Sequence, residues 1–113
     1  MKQGDIYFTS LDPAVGREQK GTRPVLIVSN NVFNAITNLP IVVPVTNGGN
    51  FARREGFAVR LEGYGLKTTG VIRIDQPRTA DLLRRRSSFV ERVPYEILAD
   101  VLGRLEAVFK WRP

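Results

Sequence analysis

Along the first two thirds of the chain, apolar positions alternate with polar ones or gather into short β-branched runs. These are GDIYFTS (4–10), PVLIVSN (24–30), LPIVVPVT (39–46), FAVRLE (57–62) and GVIRIDQ (70–76). A period of two, bounded by Gly, Pro, Asn and Asp, predicts half-buried strands. Five short strands at this spacing predict a small barrel or a strongly bent sheet. A weaker sixth strand is expected at SFVE (88–91). NNVFNAIT (30–37) has the length of one or two helical turns, as does TADLLRRR (79–86), with Thr79 as its N-cap. After Pro94 the period changes: Ile97, Leu98, Val101, Leu102, Leu105, Val108 and Phe109 recur at three- and four-residue steps. That pattern predicts an amphipathic helix ending near Lys110, with Pro94 in its first turn. Gly103 inside it costs about 1 kcal/mol relative to Ala and is expected to mark a close packing contact. The predicted fold class is mainly β with a C-terminal α-helix.

At 113 residues, without repeat, linker or low-complexity tract, the chain reads as a single domain, 1–113, able to bury its own core. MKQGDIYFTSLDP has no continuous apolar stretch, and nothing approaches the roughly 20 apolar residues that cross a bilayer. The expectation is a soluble, cytoplasmic protein without a membrane partner.

Charge and missing residue types narrow the chemistry. Lys and Arg number 17 against 11 Asp and Glu, a formal charge of +6, and most of the cations are Arg. Guanidinium groups bind phosphate and carboxylate bidentately, so a polyanionic partner is favoured, nucleic acid or acidic protein. Cysteine and histidine are both absent. That excludes disulfides, thiolate and imidazole metal sites, Ser–His and Cys–His triads and histidine-pair ribonuclease chemistry. No metal or cofactor is expected, and any reaction must use Arg, Lys, Asp, Glu, Thr, Ser or Tyr.

Two loops exceed what a hairpin needs, and loops of this length on a small β scaffold tend to carry function. LDPAVGREQKGTR (11–23) holds Arg17, Glu18, Gln19, Lys20 and Arg23; TNGGNFARREG (46–56) holds Gly48, Gly49, Phe51, Arg53 and Arg54. Arg23, ahead of Pro24 and an apolar strand, either grips a phosphate at the strand mouth or is a loop charge, solvated or paired with Glu18. The Gly-Gly, Phe51 and the arginines match the mixture of stacking and backbone electrostatics that binds single-stranded RNA, or they form a plain turn beside core aromatics. Arg84, Arg85 and Arg86 read first as a solvated face.

The segment VIRIDQPRT (71–79) sets Arg73 and Asp75 two apart, on one face of a strand whose other face carries Ile72 and Ile74. An exposed ion pair contributes only about 0–1 kcal/mol, so stability gives little reason for it. The chemical alternative uses the 2′-hydroxyl that RNA itself carries: Asp75 removes its proton while Arg73 and Arg23 stabilise the phosphorane. Both readings stay open on the residues alone.

The ordered blocks GDIYFTSLDP, GREQKGTRPVLIVS (16–29), VVPVTNGGNFAR (42–53), TTGVIRIDQPRT (68–79), ERVP and DVLGRL (100–105) resemble the MazF/PemK family of bacterial toxin endoribonucleases, and look closest to its Kid (PemK) branch. The resemblance runs from about Gly4 to Phe109. It implies an SH3-like small β-barrel, a homodimer and metal-independent cleavage of single-stranded RNA. The products would be a 2′,3′-cyclic phosphate and a 5′-hydroxyl. It also implies inhibition by a cognate antitoxin whose acidic C-terminal tail occupies the RNA groove. In the Kid branch the Arg and Asp of the VxRxDQ strand have acid and base roles, which fall on Arg73 and Asp75. Elsewhere in the family the Arg of the RP dipeptide and the Thr ending the next strand are catalytic, which fall on Arg23 and Thr46. RNA-binding positions are expected at Arg17, Glu18, Gln19 and Lys20 in the first loop, at Asn47, Phe51, Arg53 and Phe57 in and after the second, and at Thr69.

Arg17 stands where close Kid-like relatives carry His, and a guanidinium with a pKa above about 12 is a poor proton shuttle. The same objection makes Arg73 a charge stabiliser rather than an acid, leaves Asp75 as the base, and gives Thr46 an orienting or relaying part. The group that protonates the leaving 5′-oxygen is then Lys20 or water. The main alternatives are a CcdB-like toxin that binds DNA gyrase, suggested by Trp111, and a non-catalytic RNA-binding barrel.

Overall fold

The computed structural model describes residues 1–13, 15–18, 20–47 and 56–113. Among the described residues, seven strands and two helices follow in chain order: β1 (Asp5–Ser10), β2 (Thr22–Ile27), α1 (Asn31–Thr37), β3 (Ile41–Thr46), β4 (Ala58–Arg60), β5 (Val71–Arg73), β6 (Arg78–Thr79), β7 (Ser88–Arg92) and α2 (Tyr95–Phe109). All recorded pairings are antiparallel, in the spatial order β4-β5-β3-β2-β1-β7, with β6 also on β3. The fold is therefore mainly β with a C-terminal helix, as the hydrophobic pattern predicts.

Among the described residues the hydrogen-bonded path has two ends, β4 and β7, and does not close into a cylinder. A side chain bridges the gap instead. Glu91 of β7 accepts hydrogen bonds from the Lys67 amide (3.0 Å) and from both the Thr68 amide and hydroxyl (2.7 Å each), in the connection between β4 and β5.

Strand alternation divides the interior in two. Leu26, Val43, Val45, Ile72 and Val59 face α2 and bury against Ile97, Val101 and Leu105. Fully burying one such aliphatic chain stabilises by about 1.5–3 kcal/mol, so this face holds the sheet to the helix. Val25, Ile27 and Val42 point the other way, into a smaller core with Leu11, Ala80 and Leu82. That second core covers only part of the opposite face, and the sheet opens beyond it.

Strand β3 organises the opening. One of its edges pairs with β2; the other pairs with β6 at Ile41 and Val42, then with β5 at Val45 and Thr46. Pro44, which has no N–H to donate, falls where the edge passes from one partner strand to the other. Here β5 leaves the sheet, and the turn Arg73–Gln76, with the Gln76 amide 3.4 Å from the Arg73 carbonyl, leads toward β6.

Several local expectations change. The strand ends at Arg73, so Asp75 lies in the following turn rather than in the strand. Thr79 is not a helix cap: it belongs to β6 opposite Ile41, and residues 82–86 form turns in which Asp81 Oδ1 accepts the Arg84 amide at 3.2 Å. Tertiary pairing with β3 overrides a helical preference too short to sustain itself. Pro94 occupies the N-cap of α2, one residue earlier than its preferred first-turn position. At Gly103 a Cβ would meet nothing within 4 Å, so the expected close contact does not occur among the described residues. Among those residues no helix is long and apolar enough to cross a membrane.

Candidate active site

The open part of the second sheet face is where the sequence candidates converge. Val25 pairs with Pro44, and Thr46 with Val71. Continuing those registers puts Arg23 across from Thr46 and Arg73 across from Pro44. Directly opposed residues share a face, so Arg23, Thr46 and Arg73 project from the same side of three adjacent strands.

Arg73 and Asp75 form a bidentate pair: Nε–H donates to Oδ1 at 2.8 Å and Nη2–H to Oδ2 at 2.7 Å. The pair is partly shielded, with side-chain exposures of 13% and 26%. Hydrogen bonding to Asp75 raises the Arg73 pKa; burial opposes that but does not cancel it, and the carboxylate charge adds to it. Arg73 is thus held more firmly protonated than a free arginine, and a group so held is a charge rather than a proton source.

Arg23 is fixed from two sides. Its Nε–H donates to the Lys20 carbonyl at 2.7 Å and its Nη1–H reaches the Thr46 hydroxyl at 3.4 Å. Among the described residues Glu18 is not its ion-pair partner; Glu18 Oε1 accepts the Val15 amide instead, at 2.6 Å. Thr46 is buried, and the chain behind it is tightly confined. Gly70 has φ +110°, and a Cβ there would collide with the Thr46 carbonyl oxygen and come within 2.8 Å of Asn47 Oδ1.

Depressions flank this centre. One of about 330 Å³ is lined by Leu11, Arg17, Glu18, Pro44, Asp75, Gln76, Pro77 and Arg78. The Gln76 side chain donates to the Arg17 carbonyl at 3.2 Å and so ties the first loop to the Asp75 turn. A larger groove of about 550 Å³ includes Asn47, Arg60, Glu62, Thr68, Thr69 and Gly70, with the Thr69 hydroxyl 3.4 Å from Asn47 Oδ1. Phe57 is at the surface, lining a third depression with Asp75, Ala107 and Val108.

The structure thus places Arg17, Glu18 and Asp75 around one depression, Arg23, Thr46 and Arg73 on the same sheet face, and Phe57 in a separate depression that Asp75 also lines, with Asn47 and Thr69 in the neighbouring groove and Lys20 supplying a backbone anchor. Gln19, Phe51 and Arg53 lie outside the described residues. Sequence reasoning missed Pro44 and Arg78, which line the depression beside Asp75; only the strand register reveals them. The arginine run divides: Arg84 is exposed beside Asp81, whereas Arg85 Nη1 donates to the carbonyls of Ser10 and Asp12, both at 2.8 Å. Arg85 is therefore part of the framework. Among the described residues no three acidic side chains are placed to share a metal ion.

An antiparallel sheet backed by a C-terminal helix is also the fold of solved MazF-type toxins. The chain belongs to the PemK-like, MazF-like toxins of type II toxin-antitoxin systems, whose family profile matches residues 2–109. It is 58% identical over 108 residues to endoribonuclease PemK of Escherichia coli, covering 96% of this chain and 81% of that protein. Identity to endoribonuclease toxin ChpB of Escherichia coli K12 is 39% over 108 residues, covering 95% and 92%. The crystal structure of MazF from Deinococcus radiodurans matches with a TM-score of 0.84 at 30% identity, covering 96% and 94% of the two chains. A MazE–MazF structure from the same organism matches at 0.78 and 30%, with the same coverage.

Proposed function

We propose that this protein is the endoribonuclease of a type II toxin-antitoxin pair, and that it cuts single-stranded messenger RNA without a metal ion, through the RNA's own 2′-hydroxyl. The observation that carries the reading is the Arg73–Asp75 pair on the same open face as the Arg23–Thr46 pair, in a chain of the PemK/MazF family. Asp75 accepts the 2′-hydroxyl proton. Its two oxygens offer about four lone-pair sites, of which the fork to Arg73 uses two, so it can be oriented and accept a proton at once. The 2′-oxygen bonds to phosphorus and the bond from phosphorus to the 5′-oxygen breaks. This yields a 2′,3′-cyclic phosphate upstream and a 5′-hydroxyl downstream, whose proton comes from water or Lys20.

The phosphorane carries charge that guanidinium donors stabilise in a partly desolvated site. Arg73 has three N–H groups beyond the two directed at Asp75, and Arg23 faces the same opening. Thr46 orients Arg23, and Arg17 adds charge beside Asp75. Asn47, Phe57 and Thr69 flank the cleavage point as RNA contacts, joined by Glu18, Gln19, Lys20, Phe51 and Arg53 from the two long loops.

We read residues 1–113 as one cytoplasmic toxin domain with an SH3-like barrel whose seam is bridged by Glu91 rather than by a backbone ladder. The net charge of +6 supports a partner antitoxin with an acidic tail competing for the RNA groove, and the exposed apolar residues Val32 and Ile36 support a homodimer. The CcdB-like gyrase-binding reading retains only Trp111, whereas the matching relatives are named endoribonucleases.

Asp75→Ala tests the assignment. Cleavage of a long single-stranded RNA is expected to disappear while RNA binding persists; undiminished cleavage by this variant would overturn the role of Asp75.

A further inference from the structure

Asp75 belongs to two depressions at once. On one side lies the cavity shared with Arg17 and Arg78; on the other is one of about 430 Å³, lined by Phe57, Asp75, Ala107 and Val108. The wall of the second is therefore the last turn of α2. That volume is within the range of ligand sites, about 300–1,000 Å³.

The family match ends at residue 109, yet the chain continues from this wall as Lys110-Trp111-Arg112-Pro113. Lys110 leaves the helix in an extended conformation, φ −69° and ψ 131°. Three extended residues span at most roughly 10 Å, so the Trp111 backbone lies within that reach of Val108, which lines the depression. Trp111 is 81% exposed and Phe109 is 74% exposed. The largest side chain of the protein thus stands in water between two cations, a few residues along the chain from the depression that reaches Asp75.

We propose that residues 110–113 extend the substrate cleft past the last turn of α2. They take a nucleotide of single-stranded RNA next to the scissile phosphate, with Trp111 stacked on its base and Lys110 and Arg112 against its phosphates. The inference rests on the RNA-cleaving reading and deepens it. An acidic peptide would use the two cations but offer Trp111 no π-face, whereas every nucleotide supplies both a base and a charge. Cation and aromatic alternate over three consecutive residues, as stacking between phosphate contacts requires.

Trp111 is the only tryptophan in the chain, so intrinsic indole fluorescence reports on this position alone. The full chain is titrated with a long 2′-O-methyl RNA, which lacks the attacking hydroxyl and stays intact. Quenching is expected to saturate together with binding followed by RNA anisotropy. Trp111→Ala is expected to raise Kd roughly 5- to 150-fold, the loss that one base–aromatic stack carries, and Trp111→Phe to recover part of it. With cleavable RNA, Trp111→Ala should raise KM and leave kcat unchanged.

Absence of quenching, or an unchanged Kd, would overturn the proposal. So would quenching by polyglutamate but not by RNA, which would assign the tail to an acidic protein. A change in solution mass on Trp111→Ala would also overturn it, by placing the residue between copies of the chain. Binding to uncleavable RNA is read whether or not RNA is cut, so failure of this inference and failure of the nuclease reading are separately visible.

Discussion

Arg73 holds Asp75 through two parallel hydrogen bonds, Nε to Oδ1 and Nη2 to Oδ2, across a single intervening residue. The fork fixes the carboxylate's orientation and keeps the guanidinium charged. Lysine would keep the charge but not the fork. Arg73→Lys is therefore expected to lower kcat by about 10²–10³-fold, the loss typical of one directed transition-state donor. Steady-state kinetics on RNA, with circular dichroism to verify the fold, check this. Near-normal kcat would mean that charge alone suffices.

Gly70 lies against the backbone that carries Thr46. At φ +110°, with a Cβ driven into the Thr46 carbonyl, Gly70→Ala combines backbone strain with overpacking. A destabilisation of about 2–4 kcal/mol is expected, accompanied by loss of activity at temperatures where the protein still folds. Urea unfolding measures the first and RNA cleavage the second.

Glu91 makes stability depend on acid. Burial works against its ionised form, but hydrogen bonds from the Thr68 hydroxyl and from the Lys67 and Thr68 amides outweigh burial and leave its pKa below the ordinary 4.5. A depressed folded-state pKa gives stability that is present above the unfolded value and lost as pH falls through the folded one. Glu91→Gln is thus expected to melt lower than the unmodified chain at neutral pH. The gap should narrow as pH drops below about 4.5 and close only once pH has fallen through the folded-state value. Thermal melts across this range test it; a gap independent of pH would contradict the charged clip.

Arg84 and Arg85 are adjacent but have different surroundings. Arg85→Ala removes the donor that joins the carbonyls of Ser10 and Asp12, and is expected to destabilise by about 1–3 kcal/mol. Arg84→Ala, at an exposed ion pair, is expected to stay within about 0.5 kcal/mol. Denaturant midpoints of the two variants should differ accordingly.

Much of this arrangement could be read from local pattern. The alternation of Ile72 and Ile74 with Arg73 announces a strand buried on one side, and the steps from Ile97 to Leu105 announce α2. The pairing of Arg73 with Asp75 is likewise local, two residues apart. What escaped depends on contacts distant in sequence. Thr79 looks like a helix cap until β3 recruits it into β6, and Glu91 meets Thr68 at a sequence separation of 23 residues. Pro44 and Arg78 line the depression beside Asp75 only because β3 changes partner strand beside them. The convergence of Arg23 and Thr46 came from the resemblance to a family; no periodicity would have found it.

The most direct test of the central claim is the chemistry of the ends produced from a long single-stranded RNA in excess EDTA. Cleavage with a 2′,3′-cyclic phosphate on the upstream fragment and a 5′-hydroxyl on the downstream one is the predicted result. No cleavage until a divalent ion is restored, or products bearing a 5′-phosphate, would contradict it.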